Sequence, residues 1–309
     1  MAHPMRVAIA MAALAVACGD DGDASDVSDA SSGAVGAGGS APACEGPAPN
    51  PAACNGDPAL CERRFDEVAY ATTHNAMSNA DDGWGAPNQE HGIERQLADG
   101  VRGFMLDVHD FEGAPTLCHG PCQLGQRPLV DALRAFDRFL ECNPREVVTL
   151  IFESYVPAAA IAQAFDDSGL AVRTRAQPLG EPWPTLAAMI ASDERVVVLT
   201  DAPESGAPAW YLDQFAHAWQ NPYAAKSPDE LSCAVDRGSS DNALFVLNHF
   251  LTNPVAMQKL AEQVNFDPFF VDRVRACEAE SGRRANFVTV DFYATGDLLD
   301  VVRALNAER

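Results

Sequence analysis

The chain has 309 residues, of which 44 are acidic and 21 basic, so its formal net charge is −23 at neutral pH. This excess of carboxylates argues against nucleic acid as a partner and against adhesion to an anionic membrane by charge, because both require a basic surface. We therefore expect no nucleic-acid partner, and we expect a monomer.

The first 17 residues resemble a secretion signal that is removed from the mature protein. Arg6 precedes the apolar run Val7–Val16, which is too short for a transmembrane helix. Because Cys18 follows at once, the segment resembles a bacterial lipoprotein signal with lipid added to Cys18. Plain secretion is the alternative, since Ala15 stands where such signals usually carry a large aliphatic residue. We expect an exported protein, either lipid-anchored to the bacterial cell envelope or secreted.

Three segments follow this signal. Residues 18–43 are rich in Gly, Ala, Ser and Asp and predict a flexible tether, because they hold almost no apolar surface to bury. Residues 44–62 form a short segment rich in Cys and Pro. Residues 63–309 have a length that suits one β/α barrel domain.

The cysteine content indicates disulfides. Besides Cys18, the chain holds Cys44, Cys54, Cys61, Cys118, Cys122, Cys142, Cys233 and Cys277. An even number in an exported chain is typical of disulfide bonding, although spacing alone leaves the connectivity open. We predict the pairs Cys118–Cys122 and Cys233–Cys277. A zinc site is disfavoured, because the chain has no paired Cys-x-x-Cys knuckles.

Strand and helix patterns alternate through the barrel segment. The predicted strands are Val68–Thr73, Val101–Val108, Thr116–Cys118, Val147–Phe152, Arg195–Thr200, Ala243–Leu247 and Phe287–Phe292. The predicted helices are Gly92–Asp99, Leu129–Cys142, Ala158–Phe165, Thr185–Ser192, Val255–Val264 and Gly296–Asn306. This alternation predicts an α/β fold with a parallel sheet, and we favour an irregular TIM-type β/α barrel. An open doubly wound sheet is the alternative, but the chain has no Gly-rich nucleotide-binding turn.

Two histidines follow short predicted strands. His74 comes directly after Val68–Thr73, and His119 comes directly after Thr116–Cys118. A β/α barrel delivers catalytic groups from its strand ends to one rim. Since imidazole titrates near neutral pH, each ring can act as a general base or a general acid. Together with a carboxylate, two such rings predict cleavage of a phosphate ester.

An ordered set of motifs is similar to the X region of phosphatidylinositol-specific phospholipase C. The motifs are Thr73-His74-Asn75, Gln96–Arg102, Leu106-Asp107, Cys118-His119-Gly120, Asn143–Leu150, Asn248-His249-Phe250 and Ala285–Tyr293. The resemblance covers nearly all of residues 65–306 and is greatest to the secreted or anchored "PLC X domain-containing" proteins of plants and bacteria. It implies a PLC-like phosphodiesterase on an irregular β/α barrel.

The resemblance also implies roles for individual side chains. In this family the inositol 2-hydroxyl attacks phosphorus, giving a cyclic phosphate and diacylglycerol. His74 would be the general base on that hydroxyl, and His119 the general acid on the departing glycerol oxygen. Asp291 is our candidate for the carboxylate that holds a histidine in the required tautomer.

The metal content is implied in the same way. Asn75, Asp107 and Glu153 match three calcium-ligand positions of the family, whereas Met105 replaces a fourth ligand, normally Glu. Three oxygen ligands and waters can still hold Ca²⁺, so we expect calcium. His109 stands where metal-free members carry an arginine. A magnesium site, or no metal, remains the alternative.

Four further residues are candidate substrate contacts: Arg102, His109, Asn248 and Tyr293. For His109 a structural role is the alternative, and for Arg102 an inward ion pair is equally compatible with the sequence. The expected substrate is a phosphoinositide or related glycerophospholipid. The alternatives are a glycerophosphodiesterase or sphingomyelinase D-like enzyme, which normally needs the glutamate that Met105 replaces, and a non-catalytic cell-surface binding protein on a degenerate barrel.

Overall fold

The computed structural model describes Cys44 and residues 50–308. The predicted signal 1–17, the lipidation site Cys18 and the predicted tether 18–43 lie outside the described residues. None of the helices in the described part of the chain has the length and hydropathy needed to span a bilayer.

Strands and helices alternate along the described residues. The strands are β1 (Tyr70–Thr73), β2 (Gly103–Phe111), β3 (Ala114–Leu117), β4 (Arg127–Pro128), β5 (Val148–Ser154), β6 (Val196–Thr200), β7 (Tyr211–Asp213), β8 (Ala218–Gln220), β9 (Leu244–Asn248) and β10 (Phe287–Val290). The helices are α1 (Ile93–Asp99), α2 (Leu129–Cys142), α3 (Ala158–Ser168), α4 (Leu186–Ala191), α5 (Gln214–His217), α6 (Gln258–Val264), α7 (Phe269–Ser281) and α8 (Leu298–Ala307).

The sheet is a curled, mainly parallel one. Its hydrogen-bonded path runs β7-β6-β5-β2-β1-β10-β9-β8, and the neighbours along this path are parallel. β3 and β4 add a short antiparallel extension to β2. The predicted irregular β/α barrel is therefore confirmed.

The two ends of the sheet, β7 and β8, are joined through α5, a single helical turn that begins directly after β7 and ends directly before β8. The Asp213 side chain caps this turn by accepting hydrogen bonds from the backbone amides of Phe215 and Ala216. The chain itself thus brings the two sheet edges together where the hydrogen-bonded path stops. We call this place the seam.

The strands are buried on both faces, as expected of a parallel sheet covered by helices. Along β6, Val197 and Leu199 belong to one apolar cluster, and Val196 and Val198 belong to a second. The second cluster includes Phe136 of α2, so it fills the layer between sheet and helices. The first fills the inside of the curled sheet, because alternate strand residues point to opposite faces.

The amino ends of the strands are closed by the Cys- and Pro-rich segment. A disulfide joins Cys54 to Cys61, and another joins Cys44 to Cys142 at the end of α2. Asn55 exchanges hydrogen bonds with the backbone of Val147, directly before β5. The barrel therefore has one closed end, and its cavity opens at the other.

Both predicted disulfides, Cys118–Cys122 and Cys233–Cys277, are confirmed. The main differences from the predicted elements lie in the second half of the chain. The predicted helix 255–264 begins only at Gln258, after the cis peptide bond before Pro254, and α7, β7 and β8 were not predicted.

Candidate active site

A cavity of about 770 Å³ lies at the carboxyl ends of the strands. Much of its polar lining comes from residues on or directly after seven strands, together with the loop after β3. These lining residues include His74, Asp107, His119, Glu153, Asp201 and Asn248. Strand ends that belong to separate βα units are thus brought to one rim, as in other β/α barrels.

His74 directly follows β1 and is held by a buried carboxylate. Its Nδ1 donates a hydrogen bond of 2.9 Å to Asp291 Oδ1, and Asp291 lies directly after β10, the strand paired with β1. Asn88 Nδ2 donates to the same oxygen over 3.0 Å. The Asp291 side chain is 4% exposed and that of His74 is 22% exposed. Because Nδ1 is used for this bond, Nε2 is the nitrogen available to accept a proton.

Two further contacts fix the position of His74. The Phe250 ring stacks on the imidazole, with ring centroids 4.0 Å apart and an interplanar angle of 9°. Gln89 Nε2 donates to the carbonyl oxygens of His74 and Val290, over 2.7 and 3.1 Å, and so ties the ends of β1 and β10 together. Sequence reasoning did not identify Asn88 or Gln89, because neither lies on a predicted element.

His119 lies two residues after β3 and has its own carboxylate. Its Nδ1 donates to Asp107 Oδ2 over 2.9 Å, and the preceding Cys118 donates its backbone amide to the Asp107 carbonyl. The His119 side chain is 46% exposed. The hydrogen bond to Asp107 raises the pKa of the His119 imidazole, burial opposes this shift, and the charges of Asp107, Asp291 and Glu153 add to it. The raised pKa favours the protonated form, which a general acid requires.

The predicted calcium ligands line one part of the cavity, and two of them accept hydrogen bonds from other side chains. Asp107 pairs with Glu153 across the β2–β5 register, and both line the cavity with Asn75. Asp107 accepts the hydrogen bond from His119, and Glu153 accepts one from the Tyr155 hydroxyl. The bond to Glu153 raises the pKa of the Tyr155 hydroxyl. In the described residues, no group of three or more His, Cys, Asp or Glu side chains is placed to hold a metal ion. Asp107 is thus bonded to His119 and Glu153 to Tyr155, and calcium binding at these residues stays a prediction.

The other predicted substrate contacts divide into two groups. Asn248 lines the cavity, and its side chain donates to the Asn221 carbonyl over 2.8 Å. Arg102 directly precedes β2, at the end of the strand away from the cavity, and forms an ion pair with Glu146 over 2.7 Å. Its role is therefore structural, and the expected substrate contact is corrected.

His109 and Tyr293 also lie outside the cavity lining. The His109 ring stacks on Tyr155, with centroids 4.4 Å apart. The Tyr293 hydroxyl donates to Asp99 over 2.7 Å, and burial raises its pKa. Their expected role in binding substrate is therefore corrected to packing beside the site.

The cavity has a second polar region at the seam, which the sequence analysis did not find. It includes Asp201, Gln214, Gln220, Lys226 and Arg237. Burial raises the pKa of the Asp201 carboxyl, although the Ser154 backbone amide donates to it over 3.0 Å. Gln214 and Gln220 lie on or beside the two short strands that were not predicted, whereas Asp201 directly follows β6, a predicted strand, and so had the same strand-end signal as His74.

Known proteins are similar to this chain in sequence and in fold. A family model described as PI-PLC X 1 matches residues 60–306. The chain is 31% identical over 260 residues to a PI-PLC X domain-containing protein of Arabidopsis thaliana, a match that covers 75% of this chain and 59% of that protein. It is 26% identical over 289 residues to PI-PLC X domain-containing protein 1 of Arthroderma benhamiae, covering 82% of this chain and 89% of that protein.

A further relative from Arthroderma benhamiae is named an uncharacterized secreted protein and is 25% identical over 276 residues. Among solved structures, a mutant of the phosphatidylinositol-specific phospholipase C from Staphylococcus aureus aligns with a TM-score of 0.57 and 13% identity, covering 81% of this chain and 94% of that chain. At that identity the likeness is one of fold. The resemblance found in the motifs is confirmed, and the chain belongs to the PI-PLC X domain family.

Proposed function

We propose that this protein is a phospholipase C-like phosphodiesterase that cleaves the headgroup from a phosphoinositide or a related glycerophospholipid. The observation that carries the proposal is the pair of imidazoles in one cavity, each bonded through Nδ1 to its own carboxylate. Both rings thereby present Nε2 for proton transfer, and the carboxylates fix the required tautomers.

The proposed reaction begins with proton removal. His74 Nε2 accepts the proton of the headgroup hydroxyl next to the phosphate, and that oxygen attacks phosphorus. As the bond from phosphorus to the glycerol oxygen breaks, His119 Nε2 donates its proton to the departing oxygen. The products are a cyclic phosphate and diacylglycerol, and the two histidines finish with exchanged protonation states. General acid and general base catalysis each typically contribute about 10²- to 10⁴-fold.

The mouth of the cavity supports a lipid as the substrate. Leu124 and Val255 line the cavity while remaining 50% and 45% exposed. Exposed apolar side chains at a cavity mouth can contact the glycerol and acyl portions of a lipid while the polar headgroup enters. With a net charge of −23, the protein is not drawn to an anionic bilayer by charge, so we propose that a lipid anchor at Cys18 brings it to a membrane.

The disulfides of the structure are consistent with export of the protein. Four disulfides join described cysteines, and disulfides persist in oxidising compartments. A relative is named a secreted protein. Lipidation of Cys18, and with it attachment to the cell envelope, is our proposal.

Each proton transfer in this mechanism uses a side chain of the protein, with Asp107 bonded to His119 and Glu153 bonded to Tyr155. Calcium stays a prediction to be checked in the same assay. The test uses purified protein on vesicles containing phosphatidylinositol, with added calcium and with EGTA. We expect an inositol cyclic phosphate product in the presence of calcium, and loss of the product with His74→Ala; the rate in EGTA checks the calcium prediction.

Other results would point elsewhere. A product cleaved on the other side of the phosphate would favour a glycerophosphodiesterase or sphingomyelinase D-like enzyme. Absence of turnover on any phosphodiester, in wild type and His74→Ala alike, would contradict the enzymatic proposal and favour a binding protein. Turnover abolished by EGTA and restored by Ca²⁺ would bear out the calcium prediction, whereas undiminished turnover in EGTA would contradict it.

A further inference from the structure

A positive charge faces a disulfide at the closed end of the barrel. Arg145 lies in the loop between α2 and β5, and its Nη2 is 3.1 Å from Cys54 Sγ and 3.4 Å from Cys61 Sγ. These two sulfurs are bonded to each other. Nε of the same guanidinium donates to the Ala53 carbonyl over 2.9 Å. Within the described residues, the hydrogen bonds of this side chain go to that carbonyl and those sulfurs, and none goes to a carboxylate.

The oxidised pair is a poor partner for this charge. A disulfide sulfur is uncharged and is a weak hydrogen-bond acceptor. A thiolate at the same place carries a full negative charge, and hydrogen bonds between charged groups are shorter and stronger. An arginine beside a cysteine stabilises the thiolate in this way. Arg145 therefore favours the reduced form of the pair, compared with the same pair beside a neutral side chain.

The two sulfurs differ in their access to solvent. Cys61 is 8% exposed, whereas Cys54 is fully buried. An incoming thiolate therefore meets Cys61, and Cys54 is the leaving group. Arg145 Nη2 lies closer to the leaving sulfur, at 3.1 Å against 3.4 Å. Because a more stable leaving thiolate departs faster, the guanidinium lies on the side where it accelerates the exchange.

The backbone around the pair is held by bonds that do not pass through the disulfide. Cys54 and Asp57 exchange backbone hydrogen bonds of 3.1 and 3.2 Å, and the Cys61 carbonyl accepts a bond of 2.9 Å from an amide of α4. The Asn55 amide donates to the Arg145 carbonyl over 3.1 Å. The two thiols of a reduced pair thus stay beside each other and beside the guanidinium, so the disulfide can close again.

We propose that Cys54–Cys61 is a thiol–disulfide exchange site, in which Arg145 binds the Cys54 thiolate of the reduced pair. The reductant is a small thiol compound, because the sulfur that it attacks belongs to a residue that is almost buried. Its thiolate attacks Cys61 Sγ, the bond between the two protein sulfurs breaks, and the electron pair leaves with Cys54. A second thiolate attacks the outer sulfur of the mixed disulfide and releases Cys61. Two thiols are thus oxidised to one disulfide, and of their two protons one goes to Cys61 and the other to solvent.

This site is separate from the proposed phosphodiesterase. Cys54 and Cys61 pack with Tyr70 and Ile151 inside the closed end of the barrel. Neither cysteine lines the cavity that holds the histidines, and Arg145 does not line it either. Exchange at the closed end is therefore an additional property of the chain, and failure of either proposal leaves the other standing.

The test measures the reduction potentials of the disulfides in the purified full-length protein, in buffers of reduced and oxidised dithiothreitol. Free thiols are trapped with N-ethylmaleimide and located by peptide mass spectrometry. Arg145→Gln should make reduction of Cys54–Cys61 about tenfold less favourable, a shift of about 30 mV to more negative potential. Arg145→Lys keeps the charge without the planar fork and should retain part of the wild-type behaviour. Arg134→Gln, at an exposed arginine on α2, is the matched control and should leave the potential unchanged. The Cys233–Cys277 disulfide in the same samples should keep its potential in all three variants.

An equal potential of Cys54–Cys61 in the wild type and in Arg145→Gln would overturn the proposal. A pair that opens only where circular dichroism shows loss of the fold would overturn it too. If Arg145→Gln fails to fold, the reduced wild-type protein decides. An ordinary thiol loses its reactive thiolate about fiftyfold between pH 8.5 and pH 6.5. The alkylation rate of Cys54 should fall by less, because the guanidinium holds the thiolate, and a fall as large or larger would contradict the site.

Discussion

The two histidine–carboxylate pairs have the same hydrogen bond but different surroundings. The carboxylate of His74, Asp291, is 4% exposed, and the imidazole is covered by the Phe250 ring. The carboxylate of His119, Asp107, is 11% exposed, and its imidazole is 46% exposed. One pair is therefore part of the packed barrel, and the other is on its rim.

This difference fits the two proposed tasks. A general base must meet a hydroxyl at one fixed point, which favours a ring held by packing between two strand ends. A general acid must stay protonated near neutral pH, which the bond from His119 to Asp107 promotes by raising the imidazole pKa. A rim position also lets a leaving group depart after it is protonated. The difference supports the proposed roles of His74 as base and His119 as acid, which the family resemblance implied.

The largest expected effect separates the two roles directly. Replacing either histidine, in His74→Ala or His119→Ala, should reduce kcat/KM on phosphatidylinositol about 10³-fold. A substrate with a nitrophenolate leaving group needs no general acid, so it should restore most of the activity of His119→Ala and little of that of His74→Ala. Steady-state kinetics with both substrates check this. Equal rescue of both variants would remove the distinction between base and acid.

The second prediction concerns the buried pair. Asp291→Asn should lower kcat about 10²-fold, because the amide can present an N–H to Nδ1 and so favour the wrong tautomer of His74. Asn88→Ala removes one donor to Asp291 and should cost less, about tenfold. The measurement is kcat for each variant and for the double variant. Additive losses in the double variant would contradict a shared network, since residues that act through one another are not additive.

Much of the fold was predictable because its strong signals are local. The buried strands around β1, β2, β5, β6 and β10 are apolar runs between turn residues, and α2 has regular helical spacing. β7 and β8 have three residues each, too few for any periodic pattern. By contrast, α7 had a usable signal, since Phe270, Val271, Val274 and Cys277 recur at helical spacing and are buried together.

The site residues that could be predicted are those that belong to sequence motifs of the family. His74, His119, Asp291, Asp107, Glu153, Asn75 and Asn248 were named from the sequence and all except Asp291 line the cavity, while Asp291 bonds His74 behind it. The pairing of Asp107 with His119 was not predicted, because the hydrogen bond depends on how β3 turns back along β2. Arg237 was missed for a similar reason, since its place at the seam depends on contacts between distant strands.

The third prediction uses the pH dependence of the reaction to test the bond between His119 and Asp107 at the rim. Asp107→Asn removes the negative partner whose hydrogen bond raises the pKa of His119, so the imidazole should lose its proton at lower pH than in the wild type. The alkaline limb of the kcat/KM profile should therefore move to lower pH, with about tenfold lower activity at neutral pH. NMR titration of the His119 ring gives an independent reading. An unchanged alkaline limb would show that another group is the acid.

The smallest expected effect tests what holds each histidine. Packing holds His74, whereas the loop carrying His119 is closed by the Cys118–Cys122 disulfide. Cys118→Ala/Cys122→Ala should loosen only the acid, lowering kcat on phosphatidylinositol about threefold while leaving the nitrophenolate substrate unaffected. Cys54→Ala/Cys61→Ala opens another short disulfide loop, at the closed end of the barrel, and should change neither rate. Equal losses on both substrates in the Cys118→Ala/Cys122→Ala variant would mean that the crosslink supports the whole rim, including the base, and that the two pairs are less independent than their burial indicates.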